Sequence, residues 1–168
     1  GSSTAGPKSQ YKSLALNASG QVKDASVDSP TAGQVRIAIF STEGDGVPDQ
    51  TLLDTVDAVV QADDVRVLTD TVTVVAASKV DVTVEAEVKL FPETPQDIFD
   101  NLAADFTAAF DAAKSLGLDV TRSWINDQLR KDGVYDVTIT QPVANIVIAG
   151  TEFPNLATLT LTQGDSQE

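Results

Sequence analysis

Residues 44–74 read GDGVPDQTLLDTVDAVVQADDVRVLTDTVTV, and this stretch decides the fold. It begins with a turn rich in Gly, Asp and Pro, residues that favour a change of chain direction. Asp49 then stands where a short acidic side chain caps a helix by accepting free backbone N–H groups. The apolar residues that follow share one helical face: Leu52, Leu53, Val56, Val59 and Val60. The stretch therefore predicts a turn, an amphipathic helix over residues 49–63 and, after an acidic link, an alternating strand.

Alternation of apolar and polar residues predicts further strands on both sides of this stretch. Upstream, Val22–Ser29 and Gln34–Ser41 are joined by the turn sequence PTAG and predict a β-hairpin. Downstream, Lys79–Phe91 alternates almost without interruption, which is typical of a long, half-buried antiparallel strand. Val134–Thr140 and Ala157–Leu161 also predict strands. In Val134–Thr140, strict alternation would place Tyr135, Val137 and Ile139 on one face, opposite Val134 and Asp136.

Helix signals occupy the region between the long strand and the later strands. Thr94 and Pro95 favour a helix start, and Gly117 is placed to end that helix. A shorter helix is predicted with Ser123 as its cap and Gly133 as its terminator. Because strands and helices mix without strict βαβ alternation, the chain is assigned to the α+β class.

The α+β chain is expected to form two small subdomains of mostly antiparallel strands with packed helices. The first subdomain is predicted at residues 18–77 and the second at residues 78–162. Residues 1–17, rich in Gly, Ser, Thr, Pro and Lys at their start, are expected to be a tag remnant and a flexible lead. Residues 163–168 are expected to be a frayed tail.

Composition excludes several classes of function. The chain has 25 acidic and 11 basic residues, a net charge of −14 that repels phosphate backbones and anionic lipid surfaces. It has no Cys and no His, which removes thiol chemistry, disulfides, the Ser-His-Asp triad and most zinc sites. No apolar run approaches the ~18 residues of a membrane-spanning helix. Neither a catalytic site nor a metal or cofactor is therefore predicted.

The best partial match to a ligand motif is a calcium-loop-like turn at Glu43–Gly46. An EF-hand loop counted from Glu43 would need oxygen ligands at its fifth position and a Glu at its twelfth. Those positions hold Val47 and Asp54, so the turn is interpreted as a helix-capping turn. Asp63, Asp64 and Asp119 are interpreted as solvated acids near helix ends, and Ser123 as a cap rather than a nucleophile paired with a nearby lysine.

Two residues remain as candidates for a protein interface. Arg66 lies on the extended link after the first helix, where it is suited to an internal salt bridge or to a contact with another subunit. Trp124, the single Trp of the chain, lies on a short helix and is suited to core packing or to anchoring an interface.

The ordered motifs resemble those of the baseplate J-like family of contractile-tailed phages and related injection systems. Residues 44–74 match a pattern of this family, with Val67 in place of a Pro. The pattern consists of a Gly-rich turn with Pro, a helix containing Leu-Leu, a link of the form V-R-P-L-T-D and a V-x-V strand. VKDASVDSPTAGQVRIAI upstream also fits. Downstream, the fit continues at Leu116-Gly117, Val120, Ser123, Gly133–Val137 and Pro142. The resemblance extends from Val22 to Leu161 and implies the C-terminal portion of a family member.

The resemblance implies a structural component of a tail baseplate wedge with no catalytic residues. Such a protein would be present in several copies in the virion tail and assembled in the bacterial host cytoplasm. Its expected partners are neighbouring wedge subunits and the central hub or spike, with no nucleic acid and no membrane. The alternative is a secreted or surface adhesion module, and a third hypothesis is a carboxylate-dependent glycosidase. Both would need aromatic residues in loops or in a cleft. Aromatic residues of all kinds make up only 5% of the chain.

Overall fold

A computed structural model describes residues 5–62 and 70–166. The chain divides into two compact units. The first comprises the described residues up to Lys79 together with Ser115–Gly117 and Ala149–Phe153. The second comprises Val80–Lys114, Leu118–Ile148 and the described residues from Pro154 onward. The main division thus falls two residues after the predicted end of the first subdomain at residue 77, and two short segments of the predicted second subdomain belong to the first unit.

The first unit is a three-stranded sheet with helices packed on it. Its elements are α1 (Ala5–Ala18), β1 (Val22–Asp28), β2 (Gln34–Ser41), α2 (Gln50–Val60) and β3 (Thr71–Ala76). The strand order is β1-β2-β3, with β1 antiparallel to β2, as the hairpin prediction requires. β3 pairs with β2 in parallel, so the chain from β2 through α2 to β3 is a βαβ crossover and an exception to the antiparallel pattern.

The second unit is built on a second three-stranded sheet of order β5-β4-β6. Its elements are β4 (Ser78–Leu90), α3 (Asp97–Asp100), α4 (Leu102–Ala113), α5 (Arg122–Leu129), β5 (Val134–Gln141) and β6 (Glu152–Gln163), of which β4 and β6 begin in the first unit. β4 is the central strand and pairs antiparallel with β5. The α+β class predicted from the sequence is confirmed. Among the described residues, no helix is both long enough and apolar enough to cross a bilayer.

The core of the second unit lies between β4 and the helices. Most of the apolar face of the predicted long strand lies inward on β4, because these residues are buried: Val82, Val84, Ala86, Val88 and Leu90. Val80, on the same predicted face, is only partly buried. Leu102, Phe106 and Phe110 of α4 pack against that face, as do Ile125 and Leu129 of α5. Because burial of each large apolar side chain contributes about 1.5–3 kcal/mol, this layer is the main source of the unit's stability.

The β4–β5 pairing contains an irregularity that alternation did not predict. Leu90 pairs with Val134 and Lys89 pairs with Asp136, so Tyr135 is an extra residue on β5. A β-bulge of this kind reverses the direction of the side chains beyond it. Val134 and Val137 are consequently both buried, whereas Tyr135 is exposed, and the prediction that Tyr135 shares a face with Val137 is wrong.

The helices begin and end differently from the prediction at several points. Asp49 caps α2 as predicted, with its Oδ1 accepting from the Leu52 N–H at 2.8 Å, but α2 ends at Val60. The single helix predicted between Thr94 and Gly117 is instead α3 followed by α4, which ends at Ala113. Thr94 does not cap it; its hydroxyl donates to the carbonyl of Gly133 at 3.2 Å.

Residues 1–17 are predicted to be a flexible lead, but their described part, from residue 5, belongs to the helix α1. α1 places Tyr11 and Ala15 in the core of the first unit, with Tyr11 only 2% exposed. Leu14 and Ala18 pack on the same core, so the contacts follow the helical spacing i, i+3, i+4, i+7. Small polar residues at the start of the chain concealed this pattern, because a stripe of one aromatic residue, one Leu and two alanines is only weakly apolar.

The two segments that return to the first unit complete a small aromatic cluster there. Phe153 stacks on Phe40 with ring centroids 4.1 Å apart. Gly46 covers both rings with a φ of 99°, a left-handed conformation that favours Gly, and a Cβ at this position would collide with the Phe40 ring. The Leu116 N–H donates to Asp24 Oδ2 at 3.1 Å. Glycine is therefore required at position 46 for the turn to pack against Phe40 and Phe153.

Replacing Tyr11 by Ala is expected to destabilise the chain by about 3 kcal/mol, because a large buried side chain is removed from the core of the first unit. Lys12→Ala, on the exposed side of α1, is the matched control and should change stability by less than about 0.5 kcal/mol. Urea unfolding followed by circular dichroism measures both. Equal stability of the two variants would show that α1 does not pack as described.

Candidate protein-binding surface

Trp124 lies on α5 and contributes both to the core and to the surface. Its ring meets Phe106 and Phe110 of α4 edge-on, with centroid distances of 5.7 Å and 6.0 Å. It packs against the core of the second unit but is only partly buried. Edge-to-face contacts with two aromatic rings fix the indole in place. Trp124 therefore presents a rigid apolar edge to the surface.

The cap of α5 is Thr121, not Ser123 as predicted. The Thr121 Oγ1 accepts from the backbone N–H of Trp124 at 3.1 Å, and Thr121 has the extended backbone of a capping residue. Ser123 lies inside the first turn, with its hydroxyl 3.4 Å from that of Thr121. Both residue types suit a cap, and only the backbone at Thr121 decides between them.

A small cleft opens beside Trp124. Its volume is about 30 Å³, and most of its wall is apolar. The lining residues come from α4, from α5, from the segment between them and from the start of β6: Phe110, Ala113, Lys114, Leu118, Asp119, Val120, Trp124 and Pro154. Leu118 is 41% exposed at this site. The charged groups that line the cleft are Lys114, which pairs with Asp111 at 3.5 Å, and Asp119.

The loop after β5 is tied to α5 by Arg122. The Arg122 guanidinium donates to the carbonyl oxygens of Pro142 and Ile139. The Arg122 backbone N–H donates to Asn145 Oδ1 at 2.8 Å. Hydrogen bonds from a charged group to carbonyls are stronger than neutral ones. Arg122 therefore binds three residues: Ile139 of β5, and Pro142 and Asn145 of the loop.

The second half of the loop is tied to the segment before α5. Val120 and Ile146 form an antiparallel bridge with N–O distances of 2.8 and 2.9 Å. The Ile148 N–H donates to Asp119 Oδ1 at 2.8 Å. In this register Val147 lies opposite Asp119. The Val147 side chain is 79% exposed, although the backbone on both sides of it is hydrogen-bonded.

Leu118, Trp124, Val143 and Val147 together are called the Trp124 surface. Val143 is 77% exposed. Val143 and Val147 are the two most exposed large apolar residues among those described. Burial of such side chains is favourable whenever a partner covers them. Two other exposed apolar residues, Phe91 and Tyr135, cover each other in an edge-to-face pair with centroids 5.3 Å apart.

The other residues singled out in the sequence do not join this surface. Arg66, Asp63 and Asp64 lie outside the described residues. Asp45, in the calcium-loop-like turn, accepts from the Val47 N–H at 3.1 Å and pairs with Lys79 at 3.2 Å. These two contacts, the backbone N–H first, hold the pKa of the Asp45 carboxyl below its usual value. In the part of the chain that the structure describes, no three metal-binding side chains are grouped to hold an ion.

Comparison with known proteins gives two matches to baseplate J proteins. Residues 3–76 match the family model of the Baseplate J-like central domain. The chain is also 32% identical over 169 aligned positions to baseplate protein J of Escherichia phage P2. The predicted resemblance to the baseplate J-like family is confirmed. The alignment covers 100% of this chain and 56% of the phage P2 protein, so the chain spans little more than half the length of that relative.

The Baseplate J-like central domain corresponds closely to the first unit. Its match begins at residue 3, upstream of Val22, where the predicted resemblance began. It therefore includes α1, whose side chains pack on the sheet of that unit. The Trp124 surface lies in the second unit, beyond the matched domain but within the alignment to the phage P2 protein.

The cap assignment gives a test of how Trp124 is positioned. Thr121→Ala is expected to lower the free energy of unfolding by about 1 kcal/mol, because the Trp124 N–H loses its acceptor. Ser123→Ala, two residues away, should lower it by only a few tenths of a kcal/mol. Denaturant unfolding of the two variants measures the difference. A larger loss for Ser123→Ala would show that Ser123 is the cap.

Proposed function

We propose that the chain is part of a structural component of a phage tail baseplate wedge that connects the central hub or spike region to the outer baseplate. The observation that carries this proposal is the 32% identity to baseplate protein J along the whole chain. The protein acts through protein–protein contacts and has no catalytic role. It resides in the tail baseplate of the virion, in several copies.

The architecture of each unit suits such a role. Each unit has its own apolar core between a sheet and helices. The loop that carries Val143 and Val147 is fixed by hydrogen bonds with Arg122, Asp119 and Val120, in which Asp119 accepts from the Ile148 N–H. A surface that is ordered before binding loses less conformational entropy on association. We propose that this surface contacts a neighbouring baseplate protein and that Arg66 contributes to a second contact.

The charge of the chain supports the same assignment of partners. A net charge of −14 opposes binding to nucleic acid and to anionic membranes. The Trp124 surface differs from this background, because residues 137–151 contain no charged side chain. Depletion of charge at the centre of a contact region is a feature of protein interfaces.

Electron microscopy of intact tails tests the proposed location. Antibodies against this chain are expected to label the baseplate end of purified tails, because the chain remains in the finished particle. Antibodies against the tail sheath serve as a positional control. Purified tails that lack the protein, with the chain present only in cell extracts, would contradict the proposal.

A pair of substitutions tests the proposed contact surface in assembly. Val147→Asp introduces a charge at a 79% exposed position of the Trp124 surface and is expected to lower the yield of complete tails at least about tenfold. Val47→Asp, at a 38% exposed position of the first unit, is the control and should leave assembly unchanged. Particle counts in a complementation assay measure both. Equal yields would show that the surface is not a baseplate contact.

A further inference from the structure

We infer that the cleft beside Trp124 binds one apolar side chain of a basic, Lys- or Arg-containing segment of another protein. This inference rests on the proposed function and names the chemistry of the partner. It combines the shape and lining of the cleft with the charges at its edge. A second copy of this chain and an acidic partner are outcomes that the test distinguishes.

The size of the cleft selects the side chain. A volume of about 30 Å³ exceeds the 10–15 Å³ that one water needs on the same measure, and most of the wall is apolar. Water in such a site finds few hydrogen-bond partners, whereas the branched end of a Leu or Ile replaces it favourably. The rings of Trp124 and Phe110 and the exposed side chain of Leu118 form the walls that this group would contact.

The charge at the edge selects what surrounds that side chain. Asp119 is exposed at the edge and uses Oδ1 to accept from the Ile148 N–H, so its negative charge is offset there only by a neutral donor. The ammonium of Lys114 is 3.5 Å from the carboxylate of Asp111. Because Lys114 is paired with Asp111, Asp119 is the carboxylate of the cleft lining for which a partner could supply a positive charge. A Lys or Arg beside the bound apolar residue therefore matches Asp119.

The charge of the whole chain favours a different protein over a second copy. Two copies with a net charge of −14 each repel one another as they approach. A basic segment is instead attracted from a distance of about one Debye length, ~8 Å at physiological salt. The same attraction raises the rate of encounter before the apolar side chain enters the cleft.

Fluorescence of Trp124 measures binding at the cleft directly, because the chain contains one Trp. The probe is a short synthetic peptide without Trp in which one Leu is flanked on each side by Lys and Arg. Titration up to about 1 mM is expected to change the emission in a saturable manner, in the affinity range of a single anchor residue. Replacing the peptide Leu by Ser, or its Lys and Arg by Glu, is expected to weaken binding at least about tenfold.

Two variants of the chain separate the apolar and the charged contributions. Leu118→Ser removes an exposed wall of the cleft and should weaken binding of the basic peptide about tenfold. Asp119→Asn keeps an oxygen acceptor for the Ile148 N–H and removes the charge, so it should weaken binding about threefold and lower its salt dependence. Val47→Ser, in the first unit, is the control with unchanged affinity. Circular dichroism verifies that the variants fold.

Three outcomes would overturn the inference. The first is no change in emission with the basic peptide, and the second is equal binding of the acidic peptide. The third is self-association of the peptide-free chain, seen by light scattering and abolished by Leu118→Ser, which would assign the cleft to a second copy. The titration uses the isolated chain, so its failure does not affect the location of the protein in tails. Absence from tails with peptide binding intact would overturn only the proposed function.

Discussion

The alternation of side chains along β4 is the constraint on which the second unit depends. Every second residue from Val82 to Leu90 is buried, and β5 and β6 flank this strand on its two edges. A shift of one residue would turn the aliphatic face toward solvent and the acidic face toward α4. The positions of Phe106 and Phe110, and through them the orientation of Trp124, follow from this register.

Features that local chemistry determines could be predicted from the sequence. The inward face of β4, the β1–β2 hairpin and the Asp49 cap each depend on residues close together in the chain. The helix α1 could not be predicted in the same way, because Tyr11 finds its neighbours on the distant sheet. The bulge at Tyr135 is likewise set by pairing with β4, and alternation within β5 alone does not contain it.

The candidate surface was only partly predictable for the same reason. Trp124 stands out as a single large residue, whereas Val143 and Val147 lie on a loop that is held by the Val120–Ile146 bridge and by the hydrogen bonds of Arg122. That bridge connects residues 26 positions apart in the sequence. A usable signal was present: residues 137–151 carry no charge in a chain where 21% of residues are charged. An uncharged stretch of this length in an acidic protein draws attention to the loop that carries Val143 and Val147.

The charge of the chain and the rigidity of its loop both affect how the chain can associate with a partner. Repulsion between copies with a net charge of −14 limits non-specific association before assembly. The two most exposed valines, Val143 and Val147, do not cancel this effect, because they are few and lie on one loop. The hydrogen bonds of Arg122 and Asp119 hold that loop in one conformation, so little entropy is lost when a partner covers it. We infer that association is favoured only where a partner offers both an apolar side chain and positive charge.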